Sequence, residues 1–161
     1  MIKCFLFKWY NFMKIQIISV GKLSSEIAKI SDQYQKMTNW QIKNSKIVYS
    51  KKLAPTQIKQ YEAKLIKDKL TRGRCIIALD LSGKQYSSEE FSLILSKEMM
   101  EGKSIDFIIG GAFGLDESIL NLSNAKLCLS KMTLPNQMAK LMLLEQIYRA
   151  QTILDGHPYH K

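Results

Sequence analysis

Cysteine is scarce and scattered in this chain. Cys4, Cys75 and Cys128 are widely separated, no CxxC pair occurs, and only two histidines are present. A structural zinc site takes about four ligands at motif spacing, so no metal is expected. The odd, dispersed count also argues against a disulfide framework and suits a reducing compartment. Cys75 and Cys128 sit in apolar runs and read as small buried hydrophobes. No apolar run reaches the ~20 residues needed to cross a bilayer, so no membrane partner is expected and the cytoplasm is the expected location. Acidic residues are also in deficit, 14 against 24 Lys and Arg, for a net charge of +10. That excess reads either as a solvated surface or as the footprint of a polyanionic partner, because Lys and Arg that neutralise phosphates release condensed counterions.

At 161 residues the chain is about one domain, long enough to bury a core without metal or disulfide. Its 46% apolar and 24% charged content is that of a globular protein. The first twelve residues, MIKCFLFKWYNF, are apolar and aromatic, but Lys8 interrupts them and no small-residue cleavage site follows. A clean strand begins only at Lys14. The expected division is an extension over 1–12, or a translation start at Met13, followed by a single domain over 13–161. An ordinary extra strand is the alternative.

Strand and helix signals alternate along the rest. Lys14–Val20 reads as a strand, and Leu23 to about Trp40 as a helix with Ile27, Ile30, Tyr34 and Met37 on its apolar face. Ile47–Tyr49 reads as a short strand. Pro55 opens a helix to about Leu70 carrying Ile58, Tyr61, Leu65 and Ile66. Cys75–Leu81 is a continuous apolar run, the signature of a strand covered on both faces, and Ser82-Gly83-Lys84 reads as a loop. Ser87 and Glu90 form a capping box ahead of a helix to Met100. Ile105–Ile109 is another buried strand, Asp116–Leu122 a short helix, and Lys126–Leu129 the last strand. Pro135 suits the first turn of a long final helix, which Gly156 stops. The alternation predicts an α/β domain with a mostly parallel sheet flanked by helices. The final helix is apolar almost all round, through Met138, Leu141, Met142, Leu144, Ile147, Tyr148, Ile153 and Leu154. The sheet covers one face, and a symmetric dimer would cover the rest.

Three loops follow strand ends, 79–83, 110–114 and 129–134, and ligands of open α/β sheets bind at that edge. Gly110-Gly111-x-x-Gly114 allows close backbone approach but is also what a tight turn requires. It lacks the lysine and hydroxyl of a phosphate loop, and it does not follow the first strand as a dinucleotide fingerprint would. Asp80 reads as a ribose or metal ligand or as a loop cap. Glu145 and Arg149, four residues apart on a helix, read first as a surface pair. His157 and His160 read as general bases or as exposed tail imidazoles.

Together these stretches resemble the small SPOUT-class ribosomal RNA methyltransferases of the RlmH type. The resemblance rests on KIQIISVGK (14–22), ALDLSGKQYSSEEF (78–91), DFIIGGAFGL (106–115) and LSKMTLPNQMAKLMLLEQIYRAQTILDGHPYHK (129–161), in order and at family spacing. It departs at Ala112, where members commonly carry proline, and residues 1–12 have no counterpart. The resemblance implies a C-terminal deep trefoil knot, a homodimer and S-adenosylmethionine as cofactor. It also implies methylation of N3 of a pseudouridine in 23S rRNA, recognised within the ribosome. It places cofactor contacts on Leu79, Gly110, Leu129, Ser130, Lys131, Met132, Thr133 and Leu134. For catalysis it suggests His160 as base or orienting group, Arg149 stabilising the developing anion, Tyr159 stacking on the base, and Glu145 holding Arg149. Lys43, Lys46, Lys51, Lys52, Lys59 and Lys64 are expected to grip phosphates. A non-catalytic RNA-binding protein and an NAD-type oxidoreductase are the competing classes.

Overall fold

The computed structural model describes residues 13–50 and 52–161. The expected extension over 1–12, with Cys4, and Lys51 lie outside the described residues. Five parallel strands form one sheet in the order β2-β1-β4-β3-β5. The strands are β1 (Lys14–Val20), β2 (Gln41–Ile47), β3 (Cys75–Lys84), β4 (Ile105–Ile109) and β5 (Ala125–Leu127). The helices are α1 (Ser25–Met37), α2 (Pro55–Lys67), α3 (Ser88–Met100), α4 (Glu117–Leu120) and α5 (Asn136–Leu154).

Both faces of the sheet are covered, which is why its central strands are apolar without alternation. On one face Ile15, Ile17, Ile77, Phe107 and Ile109 pack beneath Phe91 and Leu95 of α3 and Leu143, Leu144 and Ile147 of α5. On the other, Ile18, Ala78 and Ile108 meet Ala63 and Ile66 of α2 and Ile119 and Leu120 of α4. The α3 capping box forms: Ser87 Oγ accepts from the Glu90 N–H at 3.1 Å, and the Ser87 N–H donates to Glu90 Oε2 at 2.8 Å.

Several boundaries differ from the sequence reading. The second strand is Gln41–Ile47, overlapping the expected Ile47–Tyr49 only at Ile47. Register with β1, from Lys14↔Gln41 to Val20↔Ile47, fixes it. As an edge strand it buries only Ser45 and Ile47, so it carries little apolar signal. The expected loop 82–84 is the end of β3. Gly83 there sits in a register irregularity between β3 and β5 rather than in a turn: a Cβ on it would lie 2.6 Å from the Lys126 carbonyl carbon, so only glycine lets the two backbones lie this close. Helix α1 keeps Tyr34 packed against the core and Ile27 half-buried as expected, but Ile30 and Met37 are exposed and Ser31 is buried in their place. The last strand is shorter, Ala125–Leu127, and Pro135 is the N-cap of α5 instead of lying in its first turn.

Candidate active site

Residues Leu79–Leu81 of β3 and the loops beyond β4 and β5 surround one cavity of about 710 Å³. Leu79, Gly110, Leu129, Ser130, Met132, Thr133 and Leu134 line it, seven of the eight expected cofactor contacts. Lys131 is exposed and does not line it. Sequence reasoning missed Leu81, Phe113, Cys128, Asn136 and Ala139 on the same wall. Among the exposed large apolar side chains are Leu81, Phe113, Met132 and Leu134, which gather at this mouth. Such a contiguous apolar patch marks a binding site more often than a solvated surface.

Local chemistry shapes each loop. Asp80 Oδ1 accepts from the Ser82 N–H at 2.9 Å and the Ser82 hydroxyl at 2.6 Å, a local contact inside β3 in place of the expected loop cap. The Gly110–Gly114 loop closes through a Gly114 N–H to Gly111 carbonyl bond of 3.1 Å. A Cβ on Gly110 would lie 3.0 Å from both the Gly114 carbonyl carbon and Leu115 Cδ2, so the return path needs glycine. The start of α5 is tied to the β1–α1 loop: Asn136 Nδ2 donates to the Val20 carbonyl at 2.8 Å, and Gln137 Oε1 accepts from the Ser24 N–H at 2.7 Å.

A second cluster forms at the other end of α5. The helix stops at Gly156, φ +65°, with the Gly156 N–H on the Ile153 carbonyl and the His157 N–H on the Thr152 carbonyl. This left-handed stop folds the tail back onto the helix. Arg149 Nη2 and Nε both donate to Glu145 Oε1, at 2.6 and 2.9 Å. The Tyr159 hydroxyl donates to the same oxygen at 3.2 Å. The Arg149 guanidinium lies 4.8 Å over the Tyr159 ring, and the Tyr148 ring packs against Tyr159 in a T-shaped pair with centroids 4.8 Å apart. Glu145 holds the Arg149 guanidinium above its usual range, and burial pushes the Tyr159 phenol up.

His160 completes this cluster. Its Nδ1 lies 3.4 Å from Arg149 Nη1 and its Nε2 lies 2.7 Å from Glu89 Oε1. Arginine only donates, so Nδ1 accepts and the ring hydrogen sits on Nε2, donated to Glu89. Backbone and Ser87 hydrogen bonds, with His160, hold the Glu89 carboxyl down at about 2. His157 is exposed, and its Nδ1 accepts from the Tyr159 N–H at 3.2 Å, a tail-shaping role.

Glu145, Arg149, Tyr159 and His160 are thus brought together, but none of them lines the cavity. Asn136 lines it, and at 1.5 Å of rise per residue about 20 Å of helix separates Asn136 from Arg149. Of the basic residues, Lys43, Lys46, Lys52 and Lys64 are exposed and Lys59 is half-buried. No helix among the described residues is long and apolar enough to cross a membrane. Among the described residues no three His, Cys, Asp or Glu side chains gather to hold a metal.

Known proteins match over nearly the whole described region. The chain is 43% identical to the "Ribosomal RNA large subunit methyltransferase H" of Alkaliphilus oremlandii (strain OhILAs) over 159 residues, 92% of this chain and all of that protein. It is 42% identical, with the same coverage, to the protein of that name in Clostridium botulinum (strain Langeland). In fold it resembles a probable methyltransferase from Bordetella pertussis Tohama I, with TM-score 0.58, 9% identity, and 92% and 99% of the two chains covered. A probable methylase family protein from Haemophilus influenzae Rd KW20 matches with TM-score 0.51 and 14% identity, over 95% of this chain and 71% of that one. The family model described as "Predicted SPOUT methyltransferase" matches residues 13–160, so the chain belongs to the SPOUT methyltransferase family.

Proposed function

We propose that this protein is an S-adenosylmethionine-dependent ribosomal RNA methyltransferase. Its target is N3 of a pseudouridine in the 23S rRNA of the large subunit, met on the assembled ribosome in the cytoplasm. The observation that carries this reading is the apolar-walled cavity shared by β3 and the ends of β4 and β5. Ribosomal RNA as substrate class is supported by the names of relatives that this chain covers end to end.

The cavity suits the cofactor in size and chemistry. Its volume of about 710 Å³ falls among small-molecule sites. Leu79, Leu129, Met132 and Leu134 offer apolar contact to a purine. Gly110, Ser130 and Thr133 leave backbone and hydroxyl groups for its polar edges. When bound, S-adenosylmethionine supplies a methyl group already activated by a sulfonium charge. The chain's own task is to orient the acceptor base, remove the N3 proton and stabilise the anion that results.

The tail cluster has the groups for that task. Glu145 takes two Arg149 nitrogens on one oxygen and so fixes the guanidinium plane. The remaining guanidinium N–H groups are available to a carbonyl oxygen of the base. Arg149 and Tyr148 both pack on the Tyr159 ring, so stacking of a base on it would require one of them to give way. Both His160 nitrogens are engaged, so in this arrangement it orients Arg149, and acting as base requires release of one partner. The 20 Å of helix between cluster and cavity supports a homodimer in which one copy's tail completes the other's site. The tight passage of Gly83 past Lys126 and Leu127 supports the threaded trefoil of the family. Exposed Lys43, Lys46, Lys52 and Lys64 would position RNA phosphates.

Labelled S-adenosylmethionine offered with unmethylated ribosomes, beside the same RNA stripped of protein, tests the reading. Incorporation into large-subunit rRNA only within ribosomes, mapped to a pseudouridine, is expected. Cofactor binding without incorporation into any RNA would displace the substrate. Absence of cofactor binding would leave a non-catalytic RNA-binding protein.

A further inference from the structure

Glu62 lies in α2 with 3% of its surface exposed, and it faces the back of the glycine loop. Its Oε2 accepts from the Gly111 N–H at 3.3 Å, and its Oε1 accepts from the Tyr49 hydroxyl. A Cβ on Gly111 would lie 2.5 Å from Glu62 Oε1, so the absence of a side chain there is what admits the carboxylate. Burial and the Glu62 carboxylate push the Tyr49 phenol up to about 12, so it stays a donor across the physiological range. Tyr49 also packs edge-on against Tyr61, with ring centroids 5.4 Å apart. Glu62 does not line the cavity, whereas Gly110 and Gly111 do.

This geometry constrains one peptide plane. The Gly111 N–H and the Gly110 carbonyl belong to the same planar trans unit and point in opposite directions. Holding the N–H against α2 therefore turns the Gly110 carbonyl away from α2, to the cavity side of the loop. The Gly111 carbonyl is fixed as well, by the Gly114 N–H. Without Glu62 a half-buried backbone donor loses its partner, and a loop of glycines has many other conformations to fall into.

We propose that Glu62 is a positioning residue for the cofactor. It fixes the Gly110–Gly111 peptide in the orientation that presents the Gly110 carbonyl to the cavity, and Tyr49 joins the basic β2–α2 connection to the same carboxylate. The inference rests on the proposed S-adenosylmethionine site and deepens it. It assigns Glu62 to cofactor affinity rather than to turnover.

The test measures S-adenosylmethionine binding by calorimetry on the full chain, with amide exchange of residues 110–114 in the unliganded protein. Glu62→Ala is expected to weaken binding about tenfold and to speed exchange at Gly111. Its kcat at saturating cofactor should stay within twofold of the unaltered chain. Glu62→Gln keeps an acceptor for the N–H and an isosteric shape, so it should recover most of the affinity, leaving a loss of about two- to fivefold. Tyr49→Phe should fall in the same range. Binding by Glu62→Ala within twofold of the unaltered chain, or weaker binding with unchanged exchange, would overturn the assignment. If Glu62→Ala does not fold, Glu62→Gln and Tyr49→Phe decide, and unaltered affinity in both overturns it. An unaltered chain that binds no cofactor removes the cofactor reading itself, and this inference with it.

Discussion

Replacing Lys140 by methionine should stabilise this fold at neutral pH, opposite in direction to most core substitutions. Lys140 lies in the first half of α5 with 3% of its surface exposed, and its Nζ donates to Ser19 Oγ at 3.2 Å. No carboxylate among the described residues forms an ion pair with it. Burial, with Lys46 nearby and only Asp32 opposing, pushes the ammonium down to about 8 from 10.5. A tenfold change in proton affinity is about 1.4 kcal/mol. Keeping this group charged in the fold at pH 7 therefore costs about 3 kcal/mol. Methionine has similar length and no charge, and it forfeits one hydrogen bond worth about 1 kcal/mol. The net gain is about 2 kcal/mol, or a rise of about 4–8 °C in Tm for a chain of this size. The sign with pH follows from a depressed folded-state value. The cost is present in full below pH 8. It fades between 8 and 10.5 as the folded chain sheds a proton the unfolded chain still holds, and it is absent above that. Urea unfolding of both chains at pH 7 and pH 10 reads the difference directly. A variant less stable at pH 7, or a gap that does not shrink at pH 10, would refute the reasoning.

Three further outcomes are expected. Arg149→Ala should collapse turnover while calorimetric cofactor affinity stays within about twofold, since Arg149 is assigned to the acceptor base and does not line the cofactor cavity; undiminished turnover would remove it from the mechanism. Arg74→Met should cost about 3–5 kcal/mol in urea unfolding, because it strands a buried carboxylate. Arg74 Nε sits 2.5 Å from Asp106 Oδ1, its Nη2 caps the Lys14 and Ile105 carbonyls, and Asp106 is fully buried. Gly156→Ala forces a side chain into φ +65° and should cost about 1 kcal/mol, seen as a lower Tm together with loss of the Tyr159–Arg149 contact by NMR.

The sequence was most legible where one local rule governs. Strand Lys14–Val20, the Ser87–Glu90 box and the Gly156 stop each depend on neighbours in the chain, and the structure has all three. The polar edge strand Gln41–Ile47 was hidden, because its place comes from pairing with β1 rather than from its own composition. Gly83 was misread because a glycine for turning and a glycine for close backbone approach look alike until the neighbouring strand is known. The three segments at the cavity were legible from the rule that ligands of open α/β sheets sit beyond strand ends, whereas the individual contacts within Leu129–Leu134 came from family pattern, since that stretch has little character of its own. Glu62 had a faint signal: it stands four residues before Ile66 on a stripe that is otherwise apolar or small. Lys140 had less, for a lysine in a helix ordinarily lies on the water side.

The two margins of the sheet bear on how copies of this chain meet. At one margin β2 turns Lys43 and Lys46 to solvent, and at the other β5 is only three residues long. A strand from a second molecule would face repelling ammonium groups at the first and find almost no unpaired backbone at the second. Edge-to-edge growth into fibrils is thereby discouraged at both ends. The helical flanks carry no such barrier: Met138 and Met142 of α5 are exposed there, and apolar side chains on a helix present no backbone ladder for a strand to extend.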